Sequence, residues 1–518
     1  GHCCTLKENL IEYVKTLLNV SEPVIEDGII NLKVNNEIII EDRDEEEWVY
    51  LYTFYNAESQ IAQRITKLDK ARNAKKVLNI EKELRIVEER SDIILSEKQK
   101  EAVKAINDNN VTIITGGPGT GKTTIIKSII EIYKQKKYKI VLCAPTGRAA
   151  KRMSETTGEE ASTLHRLLEI GKVDEESLFK KDNEYQGAPI DGDIIIVDEV
   201  SMVDMFIMSY LLDCIYQGTK LILVGDSDQL PSVGPGSVLK DLIASEKIAT
   251  VHLDKIFRQA AKSKIIVNAH RVNNGKGFIS KEDPELEKDA NQDFFFIKEN
   301  NQEKILKEVL SLCNGRLKNF GEYDFFENIQ VLTPTKKGML GTKELNKALQ
   351  EELNPHREGE AEKNSLGAIF RIGDRVMQIK NNYDMYWEKL CDSGVETGNG
   401  IFNGETGIIT NINEKGKILI VKFDDEKVCK YEFNDLEQIE HSYCMTIHKA
   451  QGSEFDVVIM IVPQAAPMLL TRNLLYTGLT RAKKLLIVIG NDRVVDYMIK
   501  NVDSKKRNTG LEFKLKNM

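Results

Sequence analysis

Residues 115–124 read TGGPGTGKTT, four glycines and a proline with no long side chain before Lys122. Such a stretch offers backbone rather than side chains. Gly116, Gly117, Gly119 and Gly121 can reach positive φ and admit a bulky group close to the main chain, and Gly116 to Thr123 fits G-x-x-x-x-G-K-[ST]. The stretch before it, VTIIT (111–115), is a short β-branched run. The stretch after it, IIKSIIEIY, repeats apolar residues at helical spacing. Strand, glycine loop and helix N-terminus together predict a phosphate cradle in which backbone N–H groups and the helix dipole hold the anion. The candidate nucleotide contacts are Gly117, Gly119, Thr120, Gly121, Lys122, Thr123 and Thr124. Lys122 is placed to reach the β- and γ-phosphates, and the Thr123 hydroxyl to ligate Mg²⁺.

Working outward, DIIIVDEVSMVD (193–204) ends an apolar strand on Asp198 and Glu199. In a parallel sheet that end lies beside the phosphate loop, so Asp198 is a candidate magnesium ligand and Glu199 a candidate for polarising water. LILVGDSDQLPSVGPG (221–236) repeats the design and offers Gln229 as a neutral sensor of the γ-phosphate. Arg258, in LDKIFRQ, and Arg481, in LLYTGLTRAKK, stand where a guanidinium offered across an interdomain cleft could stabilise the transferring phosphoryl group.

The alternation of apolar runs with helical segments predicts parallel sheets. Strands are expected at 111–115, 139–143, 193–198 and 219–224, then at 328–333, 455–462 and 485–489. This gives an α/β chain with residues 1–88 as a helical N-terminal region, 89–259 as a first P-loop domain, and 260–366 with 439–518 as a second. Residues 367–438, with short alternating runs and Asn-Gly, Glu-Lys-Gly and Asp-Asp turns, read as a small antiparallel barrel inserted in the second domain. Near the start, DGIINLKVNNEIII reads as a hairpin turning on Asn35-Asn36, and residues 57–90 as one charged amphipathic helical stretch with a solvated face.

The composition, 41% hydrophobic and 30% charged, is that of a globular protein, and no apolar run reaches membrane-span length. Eight scattered cysteines predict reduced thiols and a cytoplasmic setting rather than disulfides or a zinc site. The chain opens Gly1-His2-Cys3-Cys4 without a methionine, which reads as the remnant of a cleaved tag and a start inside a longer protein. The net charge of −9 argues against a globally basic nucleic-acid binder while leaving room for a local basic groove.

In order along residues 90–495, these segments resemble the superfamily 1 DNA helicases, most closely the RecD/TraA-type branch that moves 5′ to 3′. LSEKQKEAV is similar to the adenine-reading segment, with Gln99 its contact. APTGRAAKRMSETTG (144–158) is similar to motif Ia, and STLHRLL (162–168) to a strand-contacting segment. TPTKKGMLGTKELN (333–346), TIHKAQGSEFD (446–456) and YTGLTRAKK (476–484) match later motifs. The resemblance implies two RecA-like domains with ATP and Mg²⁺ between them, and an SH3-like barrel insertion. It implies single-stranded DNA held by Pro145, Thr146, Thr163, His165, Thr333, Pro334, Thr446, His448 and Lys449, and a nucleotide contact at Glu454. It also implies a monomer acting on tailed duplex DNA beside recombination and repair proteins, with no membrane partner.

With an acidic balance overall, DNA affinity is expected to rest on Lys336, Lys337, Lys343, His448 and Lys449, and to fall steeply with salt. Bases are expected to be held by stacking rather than read. Residues 169–189 occupy the place of a strand-splitting β-hairpin, and residues 1–88 contain no helix-hairpin-helix pair. Two alternatives to a translocating helicase stay open: a nucleotide-controlled single-stranded-DNA clamp that does not unwind, and an RNA helicase of the same superfamily.

Overall fold

Apolar β-branched runs become the central strands of two parallel sheets. The computed structural model describes residues 1–170, 187–255, 261–280, 283, 290–391, 394–502 and 507–518. The first sheet has six strands in the order Ala161–Thr163, Ile140–Ala144, Ile194–Val197, Lys220–Gly225, Val111–Gly116 and Ala249–Leu253, all parallel. Ile194, Ile195, Ile196 and Val197 are all fully buried, as expected of a strand covered by helices on both faces. The second sheet has five parallel strands, Phe294–Lys298, Ala482–Gly490, Phe455–Val462, Ile329–Thr333 and Cys444–Thr446.

Between the pieces of the second sheet lies an antiparallel sheet of seven strands running from Arg375–Gln378 to Ile439–His441 in sequence. Its apolar side, with Ile409, Leu419, Val421 and Tyr431, packs with Phe370 of the adjoining two-stranded hairpin into a separate small core. Asp374 anchors the entry to this sheet. Its carboxylate is buried and accepts from Gln350, Asn354, the Arg371 backbone and Tyr443, with His441 Nε2 3.0 Å away. The insertion is therefore tied to the second sheet at the point where the chain leaves and returns.

Three sequence expectations are corrected here. DGIINLKV is not a strand but the end of the helix Glu22–Val34, with Pro23 in its first turn and Ile25 and Ile29 buried one turn apart. Asn36, at φ 53°, terminates that helix; the hairpin that does form, Ile38–Arg43 with Glu46–Leu51, turns on Asp44 and Glu45, both at positive φ. The charged stretch 57–90 splits into two helices, Tyr52–Asp69 and Ile80–Ser91. The first is no mere solvated surface, since it buries Ala57, Glu58, Ile61, Ala62, Ile65 and Leu68.

The third difference concerns the C-terminus. Residues 507–518, grouped by alternation with the second sheet, pack on the first lobe. The Arg507 guanidinium donates to the carbonyls of Ser232, Gly234 and Gly236. The helix Leu511–Lys516 then brings buried Lys514 against Glu58 and the Tyr50 ring. Among the described residues no helix is long and apolar enough to cross a membrane.

Candidate active site and strand cleft

The buried strand Val111–Gly116 delivers the chain directly into the glycine loop, and the helix Lys122–Gln135 begins with no side chain capping its N-terminus. Its first-turn N–H groups are thus left for an anion. Gly119 and Gly121 hold φ of 73° and 82°, conformations that only glycine adopts without strain. A Cβ on Gly117 would sit 2.8 Å from the Tyr476 hydroxyl and 3.0 Å from the His270 ring, so the second lobe closes over the loop. Lys122 Nζ folds back and donates to the carbonyls of Gly116 (2.6 Å) and Gly117 (3.0 Å), while the Thr120 hydroxyl donates to Gly117 O. Gln99 is buried beside the loop. Its amide completes a capping box with Ser96 and donates to Gly121 O at 3.3 Å. Thr123 and Thr124 line a recess of about 320 Å³ with Val87 and Leu95.

Asp198 and Glu199 follow the strand Ile194–Val197, and Asp198 Oδ1 accepts the Glu199 N–H at 2.9 Å. Burial, reinforced by the Glu199 charge and opposed by Lys122 and Arg152, pushes the Asp198 carboxyl up to about 6. Two acids crowded under an uncapped helix N-terminus and a lysine fit a divalent cation, which would relieve their repulsion. Thr123, at the start of the helix after the glycine loop, and Asp198 are the side chains that could hold it. Glu454 lies across the seam on the second lobe, 2.7 Å from Arg152.

The turn after Lys220–Gly225 is stitched to the second lobe. Gln229 Nε2 donates to Asp226 Oδ2, which also accepts the Tyr476 hydroxyl at 2.7 Å, while Gln229 Oε1 accepts Arg481 Nη2 at 3.2 Å. Leu230 N donates to Thr477 Oγ1, and Gln451 Nε2 to Leu230 O. Arg481, only 2% exposed, therefore sits in the seam at the end of the helix Arg472–Leu479. Arg258 falls outside the described residues, as does most of the 169–189 hairpin candidate.

A cleft of about 770 Å³ gathers Pro145, Thr146 and His165 from the first lobe with Pro334, Thr446, His448 and Lys449 from the second. Lys336 joins it to an adjoining recess that Lys337 also lines; Lys343 is exposed near by on the helix Thr342–Leu353. Thr163 and Thr333 do not line the cleft. The Thr163 hydroxyl accepts Arg166 N and that of Thr333 donates to Leu340 O, so both are buried and shape the loops behind the cleft. His448 is exposed to the cleft, where partial desolvation lowers its pKa. Lys449 is paired with Glu440.

Sequence reasoning missed Tyr476, although it stands in the quoted YTGLTRAKK stretch, and Arg148, in PTGRAAKR. Arg148 Nη1 donates to Ser453 Oγ, and Nη2 lies 3.3 Å from Asp424 of the inserted sheet. One arginine thus joins the first lobe to both other parts.

Residues 99–235 match a family model described as an AAA domain, and residues 441–489 one described as a UvrD-like helicase C-terminal domain. Residues 345–423 match the model for the SH3 domain of ATP-dependent RecD-like DNA helicases. The chain belongs to the RecD-like helicases. This RecD-like chain is 35% identical over 393 residues to the ATP-dependent RecD2 DNA helicase of Deinococcus radiodurans, covering 75% of this chain and 48% of that protein. It thus spans about half of that relative's length. It is 29% identical to the RecBCD enzyme subunit RecD of Buchnera aphidicola, covering 88% of this chain and 82% of that one. Among solved structures, Bacteroides Pif1 bound to single-stranded DNA aligns with a TM-score of 0.42 at 20% identity, over 77% of this chain and 92% of that one.

The SH3-type sheet contributes one wall of the RecD-like cleft through Asn403, Gly404 and Glu405. Glu405 Oε2 has no hydrogen-bond partner, and burial pushes the carboxyl up to about 7 against the pull of Lys427, 3.8 Å away. Between the ordinary glutamate pKa and 7 the native chain holds a proton that the unfolded chain has released, so stability falls as pH rises through this window and is level above it. Glu405→Gln is expected to remove that loss, about 3 kcal/mol at most. The melting-temperature gain of the variant over wild type should be larger at pH 8 than at pH 5; a gain independent of pH would rule out this titration.

Proposed function

We propose that this chain is an ATP-driven motor that binds single-stranded DNA along the cleft and couples hydrolysis in the seam to 5′-to-3′ movement and duplex unwinding, in recombination or repair. In this reading residues 89–259 belong to one RecA-like domain, 260–366 with 442–502 to the other, and 367–441 to the SH3-type insertion, with the C-terminal residues 507–518 returning to the first lobe. The observation that carries the reading is the Gln229–Arg481 contact: one side chain from each lobe meets beside the phosphate loop, and the same two lobes form the strand cleft. Mg²⁺ on Thr123 and Asp198 would offset charge on the phosphates.

Lys122 then leaves the loop carbonyls for phosphate oxygens, and Glu199 takes a proton from the attacking water. Gln229 passes the loss of the γ-phosphate to Arg481 and Asp226, which loosens Tyr476 over the loop. Because Pro145 and Thr146 belong to one lobe and His448 and Lys449 to the other, each opening changes how the lobes grip a strand. Differential grip in the two states is what turns hydrolysis into displacement.

The test is strand displacement on forked DNA carrying a 5′ or a 3′ single-stranded tail, with ATPase stimulation by poly-dT and poly-U measured alongside. Unwinding is expected with the 5′ tail and poly-dT. ATPase activity without displacement on either fork would favour the clamp, and stronger stimulation by poly-U would favour an RNA substrate.

A further inference from the structure

Arg152 projects from the helix Gly147–Thr157, and nothing assigned so far uses it. Its guanidinium forks between the lobes. Nη2 lies 2.7 Å from Glu454 Oε1 on the second lobe, and Nη1 lies 3.8 Å from Glu199 Oε1 on the first. Glu199 is only 9% exposed and holds φ 55°, a left-handed backbone that a glutamate keeps only when its surroundings over-determine it. The backbone of Glu199 is fixed by its N–H to Asp198 Oδ1, which leaves the carboxylate to be set by whatever cation it faces. Lys122 is turned onto the glycine loop, so among the described residues Arg152 is the cation bridging this acid to the other lobe. Lys483 approaches only the Glu454 end, at 3.8 Å. The planar fork of arginine can serve two carboxylates at once, which an ammonium point charge does poorly.

We propose that Arg152 is a positioning residue for hydrolysis: it aims the Glu199 carboxylate and couples that aim, through Glu454, to engagement of the second lobe. The idea rests on the seam being the ATP site. When the lobes shift, the short Glu454 pair changes, and the guanidinium shifts its hold on Glu199 with it. An acid that is well aimed only when both lobes are engaged would limit hydrolysis in the absence of a gripped strand.

The experiment uses the full chain with poly-dT, comparing Arg152→Ala, Arg152→Lys, Glu454→Gln and the Arg152→Ala/Glu454→Gln double variant. Arg152→Ala is expected to lower kcat on the order of ten- to a hundredfold, with KM for ATP and affinity for poly-dT changed less than about threefold. Arg152→Lys should restore the wild-type melting temperature but not kcat. Glu454→Gln should lower kcat less than Arg152→Ala does, and the double variant should be no worse than Arg152→Ala alone. The proposal is overturned if kcat of Arg152→Ala stays within about threefold of wild type, if lysine restores it fully, or if the two losses multiply. Should Arg152→Ala fail to fold, the lysine and Glu454→Gln variants decide by the same criteria. If instead wild type hydrolyses no ATP, or Lys122→Ala hydrolyses it normally, the seam reading itself fails, which is a separate result.

Discussion

Alanine at Lys122 is expected to remove nearly all poly-dT-stimulated ATP hydrolysis while leaving strand binding in place. The Lys122 ammonium lies within the glycine loop, bonded to Gly116 O and Gly117 O, and the anion that displaces those carbonyls would take the same charge. Removing one fixed donor from developing negative charge in a closed site lowers turnover on the order of 10²- to 10³-fold. The two lost bonds are to loop carbonyls that water can reach, so the stability change should be about 1 kcal/mol or less. Lys122 does not line the cleft of Pro145, His165 and Lys449, so affinity for a fluorescent oligo-dT should change less than about twofold. Turnover close to wild type in a folded Lys122→Ala chain would reject the phosphate assignment. Loss of oligo-dT binding in parallel would instead place the loop and the cleft in one site.

Where the sequence was legible, the signal was local. Val111–Gly116 and Ile194–Val197 are unbroken β-branched runs that must be buried on both faces, and they emerge within a residue or two of expectation. The short strands Ala161–Thr163 and Cys444–Thr446 carry too few residues to show any period. The helix ending at Val34 was misread because Asn-Asn serves a helix stop as well as a hairpin turn.

Side-chain partners contributed by distant segments were not legible at all. Nothing in SKKRNTGLEF announces that Arg507 will hold the carbonyls of 232–236, or that Lys514 will be buried against Glu58. Arg152 stood inside a quoted motif, yet its role depends on two acids from different lobes, 47 residues away at Glu199 and much farther at Glu454.

Arg481→Ala is expected to be the second severe loss, for a different reason from Lys122→Ala. Every arm of this buried guanidinium is occupied: Nε donates to Thr477 O, Nη1 to Ser453 O, and Nη2 to Thr480 Oγ1 and, across the seam, to Gln229 Oε1. The contacts within the second lobe hold the group in place; the contact to Gln229 is the one that a change in lobe spacing alters. An arginine that meets the transferring phosphoryl group only in the closed state contributes on the order of 10³-fold to turnover. Alanine should therefore cut kcat by about that factor with oligo-dT binding retained, and should also lower the melting temperature because Ser453 O and Thr477 O lose a buried donor.

Lysine at 481 separates these effects, since it keeps a charge but cannot serve all four acceptors. It should recover part of the melting temperature and little of kcat. Gln229→Ala, measured in the same assay, should lower kcat less than Arg481→Ala, and the double variant should resemble Arg481→Ala alone, because a sensor that acts through an absent arginine has nothing left to transmit. Independent losses that multiply would mean Gln229 and Arg481 act separately, and wild-type turnover in a folded Arg481→Ala chain would remove the seam from the mechanism.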